Sequence, residues 1–148
     1  MSGPSVLWLH PARVPASVPA VRMAVADWAR ATGVDTDVEH DLLVVVTELS
    51  ANAVRHGRGA RFETQVSVLG DALQVRVTDA GGAAPAMPPV PGGTLSEHGR
   101  GLALVRAMVD RFSWRADERG TRVEALLPAV PRPPTSVDVA TLRDVPGP

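Results

Sequence analysis

The chain has 148 residues, enough for one domain with a sizeable core, and its 45% hydrophobic and 21% charged residues are typical of a globular protein. Its net charge of −1, without a run of like charges, argues against a nucleic-acid partner or an anionic membrane surface. The absence of cysteine excludes disulfides and thiolate chemistry, and the absence of lysine excludes a P-loop and a protein kinase of the common eukaryotic kind.

The first half of the chain predicts one strand and two helices. A short apolar run forms the strand, and Pro11 closes it. Apolar residues at helical spacing then predict two amphipathic helices, the second of which Asp35 or Thr36 could cap and Gly57 could end. These elements span Val6–Leu9, 17–31 and 35–55.

The second half predicts a sheet that a loop and a helix interrupt. Alternating apolar and polar residues predict a hairpin turning at Gly70 and Asp71 and a second strand pair turning at 118–120. The intervening stretch 80–98 is rich in Gly and Pro, shows no period and is long enough to be a functional lid. The strands span 61–69, 72–79, 112–116 and 121–127, and the helix spans 101–110.

One polar face on these strands indicates a sheet that is covered on one side only. We therefore predict a two-layer α/β sandwich of the α+β kind, with three helices on one face of a mixed, mostly antiparallel sheet. Residues 1–128 would form this domain. The proline-rich tail over 129–148 is predicted to be disordered.

The second helix carries the most specific pattern. Glu48 and Asn52 are four residues apart, so they lie on one helix face, beside the apolar stripe. An amide oxygen suits Mg²⁺, which takes few protein ligands, and a carboxylate one turn away could act as a general base near a γ-phosphate. The alternative is a solvated Glu with an incidental Asn.

Asp79 ends a predicted strand on the face that the apolar neighbours bury. A carboxylate there needs a hydrogen-bond donor, and the exocyclic amine of adenine is one. Gly81 would let the ring approach the backbone, and Thr121, on the core face of the last strand, could join Asp79 at the adenine. The alternatives are an Asx turn at Asp79 and a simple β-favouring residue at Thr121.

Two glycines, Gly99 and Gly101, lead into the third predicted helix. Helix N-termini expose N–H groups that attract phosphate, glycine lets the amides come close, and Arg100 adds a positive charge. A Gly-x-Gly pattern before a helix is by itself a weak signal.

Together these segments resemble the GHKL ATPases, which share the Bergerat or histidine-kinase-like ATPase fold. The order and spacing match over roughly residues 5–128. The matching segments are Glu48-Leu49-x-x-Asn52-Ala53-x-x-His56-Gly57 for the N box, Asp79-x-Gly81 and Gly99-x-Gly101-Leu102 for the glycine boxes, and Gly120-Thr121 for the segment closing the adenine pocket.

The resemblance implies a role for each matched residue. Asn52 would hold Mg²⁺ and Glu48 would be the base. Asp79 and Thr121 would contact adenine. The remaining candidate ATP-binding residues are His56, Gly81, Gly99, Arg100, Gly101 and Leu102.

In its small size, the chain further resembles the anti-sigma factor serine kinases, which are abundant in actinobacteria. That resemblance implies a cytoplasmic serine/threonine kinase that takes Mg²⁺ and ATP and phosphorylates a STAS-domain antagonist. It also implies a sigma factor as a further partner and a homodimer as the assembly, with no direct contact to nucleic acid or membrane.

The first glycine box departs from the family pattern. Alanine stands at position 83, where the family usually has its second glycine, and glycine stands at Gly82 instead. With the short, proline-rich lid, this departure keeps a second hypothesis open. The chain would then be a nucleotide-dependent binding regulator without phosphotransfer.

Overall fold

The computed structural model describes residues 5–80 and 97–131. They form three helices and five strands, in the order that the sequence predicts. The helices are α1 (Ser17–Thr32), α2 (Thr36–His56) and α3 (Glu97–Met108); the strands are β1 (Val6–Leu9), β2 (Phe62–Leu69), β3 (Ala72–Ala80), β4 (Arg111–Asp117) and β5 (Gly120–Pro128).

The strands form one sheet in the order β1-β2-β3-β5-β4, and every pairing among them is antiparallel. The β2–β3 hairpin turns at Gly70 and Asp71 as predicted, and Gly70 has a φ of 61°, which glycine adopts without strain. The central position of β3 decides the surroundings of Asp79. This residue pairs with Phe62 of β2 on one side and with Thr121 of β5 on the other.

The core lies between the helices and one face of the sheet. Full burial of each large apolar side chain contributes roughly 1.5–3 kcal/mol to stability. The opposite face is polar, and on it Arg76 Nε donates to Glu124 Oε1 at 2.8 Å. The two-layer α+β prediction is therefore confirmed. Fully buried side chains include Val25, Leu42, Val46, Leu49, Phe62, Val66, Leu73, Val75, Val105 and Leu127.

Helix α2 is fixed at its start by a cap and by an ion pair with α1. Asp35 accepts a hydrogen bond from the backbone N–H of Asp37 at 2.9 Å, which satisfies one of the free amides of the first turn. Glu39 is almost buried, and its Oε1 atom lies 3.1 Å from Nη2 of Arg30 on α1. These contacts, with the buried stripe, hold the helix that carries Glu48 and Asn52.

The prediction that the third helix starts at Gly101 is wrong. Helix α3 already begins at Glu97, so Gly99 and Gly101 lie inside its first turns. Leu102 and Val105 are buried in the core, and this packing outweighs the low helix propensity of glycine. The first four N–H groups of this helix, which have no partner within the helix, consequently lie earlier in the chain than Gly101.

The predicted lid and tail fall largely outside the described residues. Positions 81–96 and 132–148 are not described, which leaves the lid prediction and the disorder of the tail as predictions. Ala129 is buried, and its N–H donates to the carbonyl of Asp71 at 2.8 Å. No helix among the described residues is long and apolar enough to cross a membrane.

Candidate functional site

Two groups of candidate residues lie along helix α2. Glu48 and Asn52 are half-buried on one face, as the spacing predicts, and His56 is the exposed last residue of the helix. Glu48 and Gly57 are separated by about 14 Å along the helix axis, at 1.5 Å per residue. Asn52 lies between them.

At the Glu48 position, α2 meets α3. The Glu48 carboxylate lies directly against the backbone of Gly101: a Cβ at that position would come within 2.9 Å of the Glu48 Cδ and would overlap Oε2. A side chain at position 101 would therefore displace the Glu48 carboxylate, which is the end of a flexible side chain. The N box and the second glycine box, which are far apart in sequence, come together at this contact.

At the C-terminal end of α2, the last residues of the helix meet Asp79. This carboxyl group is 7% exposed and lies on the core face, as strand alternation predicts. The backbone N–H of Thr121 donates to Asp79 Oδ1 at 3.4 Å, and the Thr121 side chain is also buried. Asp79 and Thr121 are cross-strand neighbours on β3 and β5. That the Thr121 hydroxyl joins Asp79 at an adenine stays a prediction.

The segment of residues 57–59 packs against the Asp79 carboxylate. A Cβ on Gly57 would lie 3.0 Å from Asp79 Oδ2 and would collide with the carbonyl oxygen of Ala53. Gly59 has a φ of 82°, and a Cβ there would lie 2.9 Å from the carbonyl oxygen of Ala80. Both glycines thus allow the chain after α2 to pass close to the end of β3.

Burial raises the pKa of the Asp79 carboxyl above its ordinary value of 3.8. Hydrogen bonds from the backbone of Thr121 and Arg58 and the charge of Arg13 oppose this effect without cancelling it. A ligand amine that donates to this carboxylate would offset the cost of its burial, and a buried carboxyl with a shifted pKa is a functional-site candidate.

Sequence reasoning missed Arg13 and the packing of the 57–59 segment. Arg13 follows β1 between Pro11 and Pro15, and no pattern of spacing marks it. Its guanidinium donates to two backbone carbonyls, those of Val54 and Gly59. The only local hint of a close backbone approach is that a second glycine, Gly59, follows Gly57 two positions later.

Of the remaining predicted residues, some lie in the part of the chain that the structure describes and others do not. Leu102 is buried on α3 and belongs to the core as well as to the glycine box. Gly81 lies outside the described residues, as do the surroundings of Gly99 and the side chain of Arg100. Among the described residues, no group of three or more His, Asp or Glu side chains could hold a metal ion.

Comparison with known families decides what this arrangement is. The model of the histidine kinase-like ATPase domain matches residues 11–126, which contain every described candidate residue. The chain belongs to this family. The resemblance to the GHKL ATPases is thereby confirmed, and membership of an ATPase family implies that ATP is the nucleotide bound.

Solved structures share the fold. The RsbU and RsbW domains of Rv1364c from Mycobacterium tuberculosis match with a TM-score of 0.64 and 18% identity, over 83% of this chain and 31% of that one. The histidine kinase domain of the blue-light activated histidine kinase from Erythrobacter litoralis EL346 matches with a TM-score of 0.52 and 20% identity, over 77% of this chain and 60% of that one. The chain therefore spans less than two thirds of either protein. A search of curated proteins found no significant match.

Proposed function

We propose that this histidine kinase-like ATPase domain is a regulatory serine/threonine kinase of the anti-sigma factor type, which phosphorylates a STAS-domain partner. The observation that carries the proposal is the position of Glu48. Its carboxylate lies against the backbone of α3 at Gly101, while the buried Asp79 lies beside the C-terminal end of the same helix. The similarity to a structure that contains an RsbW domain supports the same choice.

The Asp79 end is suited to the adenine. Asp79 and Thr121 are buried neighbours, and the carboxylate can accept a hydrogen bond from the exocyclic amine. A base that fills this position would satisfy the carboxylate oxygens that backbone donors leave open. The triphosphate would then extend along α2, past Asn52, towards α3.

The Glu48 end is suited to phosphoryl transfer. The carboxylate of Glu48 takes the proton of the partner's serine hydroxyl, the serine oxygen forms a bond to the γ-phosphorus, and the bond from that phosphorus to the β–γ bridging oxygen breaks. ADP leaves with the electron pair. Free amides in the first turn of α3 stabilise the developing charge on the phosphoryl oxygens.

Asn52 supplies one neutral oxygen, which fits a Mg²⁺ ion that takes its other ligands from phosphates and water. The ion, when bound, neutralises charge on the β- and γ-phosphates. Asn52 and Glu48 are both half-buried on one helix face, so the metal ligand and the proposed base are one turn apart. This donor set fits magnesium, whose oxygen ligands are hard and few.

Phosphate transfer to a purified STAS-domain partner, measured with γ-labelled ATP, tests the proposal. We expect stoichiometric transfer by the wild type and loss of transfer in Glu48→Gln, which keeps the size of the side chain but cannot take a proton. Glu39→Gln is the matched control, because Glu39 lies on the same helix and pairs with Arg30 away from the site. No transfer by the wild type, or unchanged transfer in Glu48→Gln, would contradict the kinase function.

The alternative is a nucleotide-dependent binding regulator, which the altered first glycine box favours. It predicts that the wild type binds its partner only with ATP and transfers no phosphate. Partner binding would then survive Glu48→Gln. The same labelled-ATP experiment, with a pull-down of the partner, separates the two functions.

A further inference from the structure

We infer that Arg13 is a positioning residue of the adenine pocket, which holds the 57–59 segment against Asp79. The inference rests on the proposed binding of ATP at Asp79. Neither the family match nor the sequence pattern assigns a role to this arginine. Its contacts are the observation that carries the argument.

The guanidinium of Arg13 joins the end of α2 to the segment that follows it. Nη1 donates to the carbonyl oxygen of Val54 at 3.0 Å, and Nε donates to the carbonyl oxygen of Gly59 at 2.7 Å. The carbonyls at a helix C-terminus lack partners within the helix and carry partial negative charge, which favours a cation there. A planar guanidinium can serve both acceptors at once, whereas a lysine ammonium cannot reproduce that fork.

Backbone pairing fixes Arg13 in this place. Its N–H donates to the carbonyl oxygen of Ala60 at 2.8 Å, and Ala12 forms an antiparallel bridge with Arg61. The N–H of Phe62 donates to the carbonyl oxygen of Pro11 at 3.1 Å. The link between β1 and α1 therefore runs beside the link between α2 and β2, which places the Arg13 guanidinium within reach of both carbonyls.

The segment that Arg13 holds is the one in contact with Asp79. Val54 precedes Gly57 and Gly59 follows it, so the two hydrogen bonds fix the chain on both sides of the residue that packs on Asp79 Oδ2. The positive charge also opposes the effect of burial on the Asp79 carboxyl and favours its ionised form. An ionised carboxylate is the better acceptor for an amine of the base.

The experiment compares Arg13→Met and Arg13→Lys with the wild type in calorimetric titrations with Mg·ATP, Mg·ADP and Mg·GTP. Arg61→Met is the matched control. Arg61 also donates to a backbone carbonyl nearby, but the carbonyl is that of His10, at 2.7 Å, which lies outside the 57–59 segment. Thermal unfolding of each variant shows that the titrated protein is folded.

We expect Arg13→Met to lose about tenfold or more in affinity for ATP and for ADP alike, as the loss of two charge-assisted hydrogen bonds implies. The preference for ATP over GTP should fall as well, because the position of Asp79 relative to the base is disturbed. A change in stability alone would lower the folded fraction without changing this preference. Arg13→Lys should be intermediate, and Arg61→Met should stay within about twofold of the wild type.

Three results would overturn the inference. They are an Arg13→Met variant within twofold of the wild type, a loss confined to ATP with ADP unaffected, and an unchanged preference for ATP over GTP. A wild type that binds no nucleotide would overturn the proposed function and this inference together. Binding by the wild type with unchanged binding by Arg13→Met would overturn only the role of Arg13.

Discussion

Gly101 of α3 lies so close to the carboxylate of Glu48 that a methyl group at position 101 would overlap the Glu48 Oε2 atom. This contact joins the two elements that are expected to meet the phosphates. Glycine is otherwise unfavourable within a helix, and at position 101 its lack of a side chain leaves the Glu48 carboxylate in place.

Gly101→Ala should therefore separate activity from stability. Alanine favours the helix, and the atoms it would displace are at the end of a flexible side chain, so stability should stay within about 1 kcal/mol of the wild type. Phosphate transfer should fall by about tenfold or more, because the Glu48 carboxylate, the proposed general base, is moved from its position. Labelled-ATP assays and urea unfolding measure the two effects.

Glu48→Ala provides the control for this prediction. Once the carboxylate is removed, adding Gly101→Ala should cause no further loss, because the overlap no longer exists. Additive losses in the double variant, or full activity in Gly101→Ala, would contradict the role that we give to this contact.

Gly57→Ala should weaken both stability and nucleotide binding. The added Cβ would meet Asp79 Oδ2 and the rigid backbone of Ala53, and overpacking of this kind costs about 1–3 kcal/mol. Gly33→Ala is the control. Gly33 has a φ of 81° with open space around it, so alanine there should cost about 1 kcal/mol in backbone strain and leave ATP affinity unchanged. Equal ATP affinity in all three proteins would contradict the packing of Gly57 on the adenine site.

Local periodicity was sufficient to predict that the candidate residues of the sheet, Asp79 and Thr121, lie on its core face. A strand alternates its side chains between two faces, so the burial of Leu73, Val75 and Val77 also places Asp79 on the core face. The same rule places Thr121 with Val123. The pairing of β3 with β5 then makes Asp79 and Thr121 neighbours across the two strands.

The contacts that close the site could not be predicted in this way. Arg13 bonds to Gly59 across 46 positions, and no local pattern specifies which carbonyl a distant arginine will reach. The start of α3 was also missed, because glycines near a helix terminus resemble a loop until the packing of Leu102 and Val105 is known. Tertiary contacts decide both features.

The raised pKa of Asp79 predicts a specific dependence of stability on pH. The folded protein binds this proton more tightly than the unfolded chain does, so the favourable contribution of Asp79 is fully present below pH 3.8 and is lost as the pH rises through the folded-state pKa. Asp79→Asn should lack this loss. As the pH rises from 3.8 through the folded-state pKa of Asp79, the unfolding free energy of the variant should therefore increase relative to that of the wild type. Urea unfolding at a series of pH values measures the difference.

Asp71→Asn is the control for this pH dependence, because Asp71 is an exposed residue of the β2–β3 turn. Its unfolding free energy at neutral pH should stay within about 0.5 kcal/mol of the wild type, which shows the effect of replacing an exposed aspartate. Parallel pH profiles for the wild type and Asp79→Asn would contradict the burial of an ionisable Asp79.

Asn52→Ala should bind ATP as though no magnesium were present. The wild type should lose about tenfold or more in ATP affinity when EDTA removes the metal, while the variant should be weak with or without EDTA. Gln74→Ala removes an amide from the polar face of the sheet, away from the helices, and should behave as the wild type. If Asn52→Ala keeps a full response to magnesium, another residue holds the ion.

The most direct test of the whole account is a calorimetric titration of the wild type, Asp79→Asn and Asp71→Asn with Mg·ATP. We predict one nucleotide per chain for the wild type and for Asp71→Asn. Asp79→Asn should lose about 100-fold in affinity, because the Thr121 N–H would hold the amide oxygen and leave the NH2 group, which cannot accept from the adenine amine, facing the base. Wild-type affinity in Asp79→Asn would contradict the assignment of this buried carboxylate to the adenine.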